Sequence, residues 1–107
     1  MDDPEGMMFS PIRFNPEQLE VECNGKTVRL TPNEARTLYF LATHANTACT
    51  VDQICSWVYD FDNYDGSATL VKVAIRHLRQ KIELDPTNPA YILTVPSGYA
   101  LVMNPHE

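Results

Sequence analysis

Apolar and polar residues alternate in three stretches near the start of the chain: Ile12-Arg13-Phe14, Leu19-Glu20-Val21-Glu22-Cys23 and Thr27-Val28-Arg29-Leu30. A period of two puts one set of side chains on one face of a strand. Asn24-Gly25, between the second and third stretches, suits a tight hairpin turn, so the pattern predicts a small antiparallel sheet over about 11–30. The period then lengthens. Ala35, Leu38, Tyr39, Leu41 and Ala42 follow at helical spacing to about His44, and Val51, Ile54, Cys55 and Val58 do the same to about Tyr59. Each run opens on a capping box, Thr31-Pro32-Asn33-Glu34 and Thr50-Val51-Asp52-Gln53. The box satisfies backbone N–H groups that a helix start leaves open, and Pro32 fits the first helical position. Asn46-Thr47 ends the first run. Phe40, Leu41, Trp57 and Tyr59 are expected in the core or at its rim.

A third helix is predicted over about 67–84, with Val71, Ile75, Leu78 and Ile82 as its apolar stripe. Asp85-Pro86-Thr87-Asn88-Pro89 stops it, because proline cannot continue a helix. Tyr91 to Val95, the turn Pro96-Ser97-Gly98 and Tyr99 to Met103 then form a second hairpin. The order is sheet, helix, helix, loop, helix, hairpin. That is an α+β chain on the plan of a winged helix-turn-helix, whose third helix enters the DNA major groove while the hairpin flanks it.

Charge sharpens this expectation. The 107 residues, enough for one domain, carry a net charge of −6 from 8 Lys and Arg against 14 Asp and Glu. Four of the eight basic residues, Lys72, Arg76, Arg79 and Lys81, lie on the third helix, and no acidic residue falls within 66–82. Net acidity argues against a non-specific nucleic-acid coat, yet a basic helix face in an acidic chain points to a polyanion. With the apolar stripe inward, Thr69, Lys72, Val73, Arg76, Arg79 and Gln80 face outward. Arg76 is the expected base reader, since its planar fork matches guanine O6 and N7. Val73 can touch a thymine methyl. Thr69, Lys72, Arg79 and His77 are expected on phosphates. Tyr99 is expected to pack the hairpin onto the helix, with its hydroxyl as a further phosphate donor.

Other chemistries are excluded by pattern. No apolar run approaches the roughly 20 residues of a membrane span. Met1 to Gly6 is acidic and polar, unlike a secretory signal, and residues 1–8 are expected to be a disordered lead-in or linker to a domain over 9–104. Cys23, Cys49 and Cys55 are odd in number and lack a CxxC pair, which suits buried thiols in a reducing cytoplasm. No ligand spacing of a zinc clip accompanies His44 or His77. Asp60-x-Asp62-x-x-Asp65-Gly66 fails as a calcium loop, because Tyr64, Asp65 and Val71 would occupy positions 5, 6 and 12. Ser10, Ser56, Ser67 and Ser97 lack a nucleophile elbow, and no Gly-rich phosphate cradle occurs. Neither an enzyme, a metal nor a cofactor is expected.

Three motif groups, in order, then complete the reading: Leu30-Thr31-x-x-Glu34; Ile75-Arg76-x-Leu78-Arg79-x-Lys81-Ile82; and Asp85-Pro86-x-Asn88-Pro89-x-Tyr91-Ile92-x-Thr94-Val95 followed by Gly98-Tyr99. Over about residues 9–103 this series resembles the effector domain of OmpR/PhoB-type response regulators and of their ToxR/CadC-type relatives. The resemblance implies a sequence-specific bacterial transcription regulator of a two-component system, the C-terminal half of a longer protein, binding direct repeats as a head-to-tail homodimer. It also implies that Asp60, Asp62, Asn63, Tyr64 and Asp65, between the second and third helices, contact RNA polymerase. Two departures from the family pattern stand out: no basic residue near the shortened wing turn, and Ala68 and Thr69 where the third helix often starts with a basic residue. The uncharged wing tip, together with the net acidity, motivates an alternative, a winged-helix interaction module that docks on a protein through acidic surfaces and the 60–67 loop with little DNA affinity of its own.

Overall fold

The computed structural model describes residues 7–9, 12–23, 25–59 and 67–102. Four strands, β1 (Met7–Phe9), β2 (Ile12–Asn15), β3 (Glu20–Cys23) and β4 (Lys26–Arg29), form an antiparallel meander in chain order. Alternation sets its faces. Ile12, Phe14, Val21 and Cys23 point into the core, while Glu22 is exposed opposite Arg13. Cys23 pairs with Lys26, and Gly25 between them has the positive φ of +82° that a tight hairpin turn favours. The sheet begins earlier than expected. Met7 and Met8, which the sequence reading places in the lead-in, pair with Phe14 and Arg13.

Helix α1 (Pro32–Thr43) starts on the expected capping box. The Glu34 amide donates to Thr31 Oγ1 (3.2 Å), and the Thr31 amide donates to Glu34 Oε1 (3.0 Å). Leu38 and Leu41 are wholly buried, but Tyr39 faces outward, where it stacks on Trp57 at 5.8 Å between ring centroids. Helix α2 (Val51–Tyr59) repeats the device, with Gln53 and Thr50 bonded reciprocally at 2.8 and 3.0 Å. Of Tyr59, the side chain lies outside the described residues. Helix α3 (Ser67–Ile82) ends two residues sooner than expected. Its stripe Val71, Ile75, Leu78 and Ile82 is at most 1% exposed and fills the space against α1 and α2.

The C-terminal hairpin pairs β6 (Ile92–Val95) with β7 (Gly98–Leu101) around Pro96-Ser97. A third strand, β5 (Cys49–Thr50), joins the outer side of β7, which the sequence reading does not foresee. Glu83, expected inside α3, lies just past its end and is 6% exposed. Its carboxylate accepts from the amides of Ala90 (2.7 Å), Tyr91 (3.0 Å) and Ile92 (2.8 Å), fixing where the hairpin departs. No helix of the described residues is long and apolar enough to cross a membrane.

Candidate nucleic-acid interface

Helix α3 divides into three rows around its axis. At about 100° per residue, Thr69, Lys72, Val73, Arg76 and Gln80 fall on one outward row. Thr69, Lys72, Arg76 and Gln80 are exposed and Val73 is half-buried. Among the described residues, neither Lys72 nor Arg76 makes a hydrogen bond or an ion pair within the fold. No acidic side chain lies on α3 itself, so nothing within the helix offsets their charge.

The row on one flank turns inward to α1. His77 Nδ1 lies 3.4 Å from Glu34 Oε2, and Lys81 Nζ donates to Glu34 Oε1 at 2.6 Å. Lys81 Nζ also reaches the carbonyl of Arg29 at 3.0 Å. Burial of Glu34 works to raise its pKa. The hydrogen bonds from Lys81 and Thr31, with the charges of Lys81 and His77, outweigh that and hold the carboxyl below its ordinary value of 4.5. His77, read from the sequence as a phosphate ligand, is thus directed at a carboxylate within the protein, and Lys81 is withdrawn from the outward basic face.

The other flank faces the hairpin. Arg79 Nε donates to the carbonyl of Ile92 (3.0 Å) and Nη2 donates to Thr94 Oγ1 (2.8 Å). Its guanidinium carbon lies 5.7 Å from the centroid of the Tyr99 ring. Arg79 therefore braces the hairpin against α3, and Tyr99 packs at that seam as expected. Both are half-buried, at the edge of the outward row. The two site residues that sequence reasoning missed are Glu34 and Glu83. Glu34 carries the signal of a cap and nothing that foretells its second pairing, 47 residues away.

The expected polymerase-contact residues Asp60, Asp62, Asn63, Tyr64 and Asp65 lie outside the described residues. No cluster of His, Cys, Asp and Glu able to hold a metal ion occurs among the described residues. Burial pushes the Cys23 and Cys49 thiols up in pKa, keeping them protonated.

Three helices followed by a hairpin that packs beside the last of them define a winged helix-turn-helix. Residues 25–101 match the family described as transcriptional regulatory protein, C terminal, and the chain belongs to that family. It is 38% identical over 98 residues to the transcriptional regulatory protein YvrH of Bacillus subtilis, covering 91% of this chain and 41% of YvrH. It is 32% identical over 99 residues to SphR of Synechococcus elongatus, an alkaline phosphatase synthesis transcriptional regulatory protein, covering 92% of this chain and 38% of SphR. The chain thus spans about two fifths of the length of these curated relatives. Among solved structures, the DNA-binding domain of Klebsiella pneumoniae RstA in complex with the RstA box superposes with a TM-score of 0.80 at 31% identity, covering 95% of this chain and 99% of that one. The Thermotoga maritima response regulator DrrB, an OmpR/PhoB homolog, also gives 0.80, at 25% identity, covering 92% of this chain and 44% of that one.

Proposed function

We infer that this domain regulates transcription by binding specific sequences in duplex DNA, with α3 in the major groove. The observation that carries this is the outward row Thr69, Lys72, Val73, Arg76 and Gln80. It is polar and cationic, on a helix whose other faces turn mostly to the core, to Glu34 and to the hairpin, with Leu70 exposed beside them in the first turns. Arg76 sits at its centre and reads bases; Val73 meets a thymine methyl; Thr69, Lys72 and Gln80 flank them toward phosphates and base edges. Arg79, Tyr99 and His77 serve DNA from the margins, since each already has an intramolecular partner. In its cell the domain works in the cytoplasm on promoter DNA, where a head-to-tail pair of copies occupies direct repeats. The acidic, aromatic stretch from Asp60 to Asp65 meets RNA polymerase. No catalytic role is assigned.

Selection of bound fragments from a random duplex pool, with Arg76→Ala beside the wild type, tests the reading. Wild-type protein should enrich a repeated motif, and Arg76→Ala should lose preference at one position at a cost of about 1–3 kcal/mol. No enrichment at low salt would overturn it.

A second reading, a protein contact made alongside DNA binding and away from the acidic surfaces, has one specific observation in its favour. A groove of about 350 Å³ lined by Pro16, Leu19, Pro32, Ala35, Arg36, Tyr39 and Trp57 lies open to solvent. Arg36, two residues beyond Glu34 and so on the far side of α1 from α3, stands at 5.6 Å over the Trp57 ring. A protein bound there leaves α3 free for DNA.

A further inference from the structure

We propose that Glu34 is a positioning residue for DNA recognition: by clasping His77 and Lys81 it sets the roll of α3 and so the bases its outward row can reach. The proposal rests on the DNA reading above and adds to it the group that gives that reading its register.

The geometry is specific. His77 and Lys81 are four residues apart, one above the other on a single flank of α3. One buried carboxylate holds both, Oε2 toward His77 and Oε1 toward Lys81. The same carboxylate is itself fixed by the Thr31 amide, so it is anchored to the start of α1 and has little freedom to follow a moving partner. Lys81 has a second hold on the carbonyl of Arg29, at the end of β4. On the opposite flank Arg79 grips the hairpin. Measured about the axis, the two flanks stand on either side of Arg76, with His77 about 100° one way and Arg79 about 60° the other.

Such a pair of polar anchors does what the apolar stripe cannot. Contacts among Val71, Ile75, Leu78 and Ile82 are non-directional, and aliphatic packing yields to small rotations by rotamer adjustment. A charged hydrogen bond at 2.6 Å is directional and short. Rolling α3 by even a fraction of a turn would break the clasp on one flank or the brace on the other. Base readout depends on donors placed to within a few tenths of an ångström, so the roll of the helix is a determinant of sequence preference.

The test compares wild type, Glu34→Gln and Lys81→Gln for affinity to the duplex the wild type selects and to a scrambled duplex of equal length. Gln at 34 keeps the side-chain length and can still accept from the Thr31 amide, and thermal melts establish that each variant is folded. The two variants change net charge in opposite directions. Charge alone predicts tighter binding to both duplexes for Glu34→Gln and weaker binding to both for Lys81→Gln, with the ratio between duplexes unchanged. Positioning predicts that the ratio falls in both, by about fivefold or more, the discrimination of one displaced base contact. A ratio unchanged in Lys81→Gln overturns the proposal whatever Glu34→Gln does. Wild-type protein that selects no sequence overturns the DNA reading, and the inference with it, and is seen without any variant.

Discussion

Gly98 lies directly against the carbonyl of Cys49: a Cβ built on residue 98 would overlap that oxygen and press on the Thr50 Cα at 2.9 Å. Both obstacles are backbone, so neither can swing aside. The glycine is needed for close approach of β5 to β7, and not for an unusual φ. Gly98→Ala should therefore destabilise the domain by about 3 kcal/mol, the upper range for overpacking a filled site. A fall of the urea midpoint at unchanged slope checks this, and a wild-type midpoint would refute it.

Glu83 supplies a second strong structural prediction. Its carboxylate satisfies the amides of Ala90, Tyr91 and Ile92 while nearly excluded from water. Truncation leaves these donors unpaired, each a desolvation cost. Glu83→Ala should cost about 3 kcal/mol by chemical denaturation. Glu83→Gln should cost less, since one amide oxygen can still accept.

Acid sensitivity follows from Glu34. Its carboxyl titrates in the folded protein below the ordinary value of 4.5. A depressed folded pKa means stability that is present above the unfolded value and is lost as pH falls through the folded one. The wild-type melting temperature should therefore decline below about pH 4.5, and Glu34→Gln should show a shallower decline over that window. Parallel acid limbs for the two proteins would remove Glu34 as the cause.

The brace at Arg79 predicts a difference between two conservative-looking changes. Arg79→Ala gives up the Ile92 carbonyl, Thr94 Oγ1 and the Tyr99 face, and should cost about 1–2 kcal/mol. Arg79→Lys should recover little of it, because a single ammonium cannot reproduce the fork that spans both acceptors. Equal stability of Arg79→Lys and wild type would show that charge alone suffices.

Lys72 and Arg76 should separate on DNA. Lys72→Ala is expected to weaken binding to all sequences alike and to lower the slope of log affinity against log salt by about 0.9, one phosphate contact. Arg76→Ala should instead alter which sequences are preferred. A Lys72→Ala protein with an unchanged salt slope would take Lys72 off the phosphates.

Local chemistry made most of this architecture legible. Thr31-x-x-Glu34 and Thr50-x-x-Gln53 mark two helix starts because a cap bonds residues three apart, and Asn24-Gly25 marks its hairpin for the same reason of proximity. The four-residue recurrence in α3 gave its buried stripe and, by subtraction, its outward row. Features that depend on distant partners were illegible. The two residues of β5 carry no strand signal and are ordered by β7, some fifty positions later. Glu83 reads as one more helical residue until the hairpin amides arrive. His77 reads as a phosphate ligand and Lys81 as one of four basic residues on the helix, and nothing in the pattern foretells that both meet a carboxylate from α1. Periodicity reports which side of a helix is apolar; it does not report which polar neighbour waits on each flank.

Thr50 occupies two structures at once. Its backbone pairs with Gly98 in the three-stranded sheet, and its hydroxyl accepts from the Gln53 amide at the start of α2. Detaching the hairpin would strip the strand partner from the residue that caps that helix, and Asn46, whose amide donates to the Leu101 carbonyl at 2.7 Å, would lose its hold as well. The wing is thus not an appendage that can fray by itself. Opening it loosens the helical half too, so amide hydrogens of β7 and of the first turn of α2 should exchange with solvent in a single shared event.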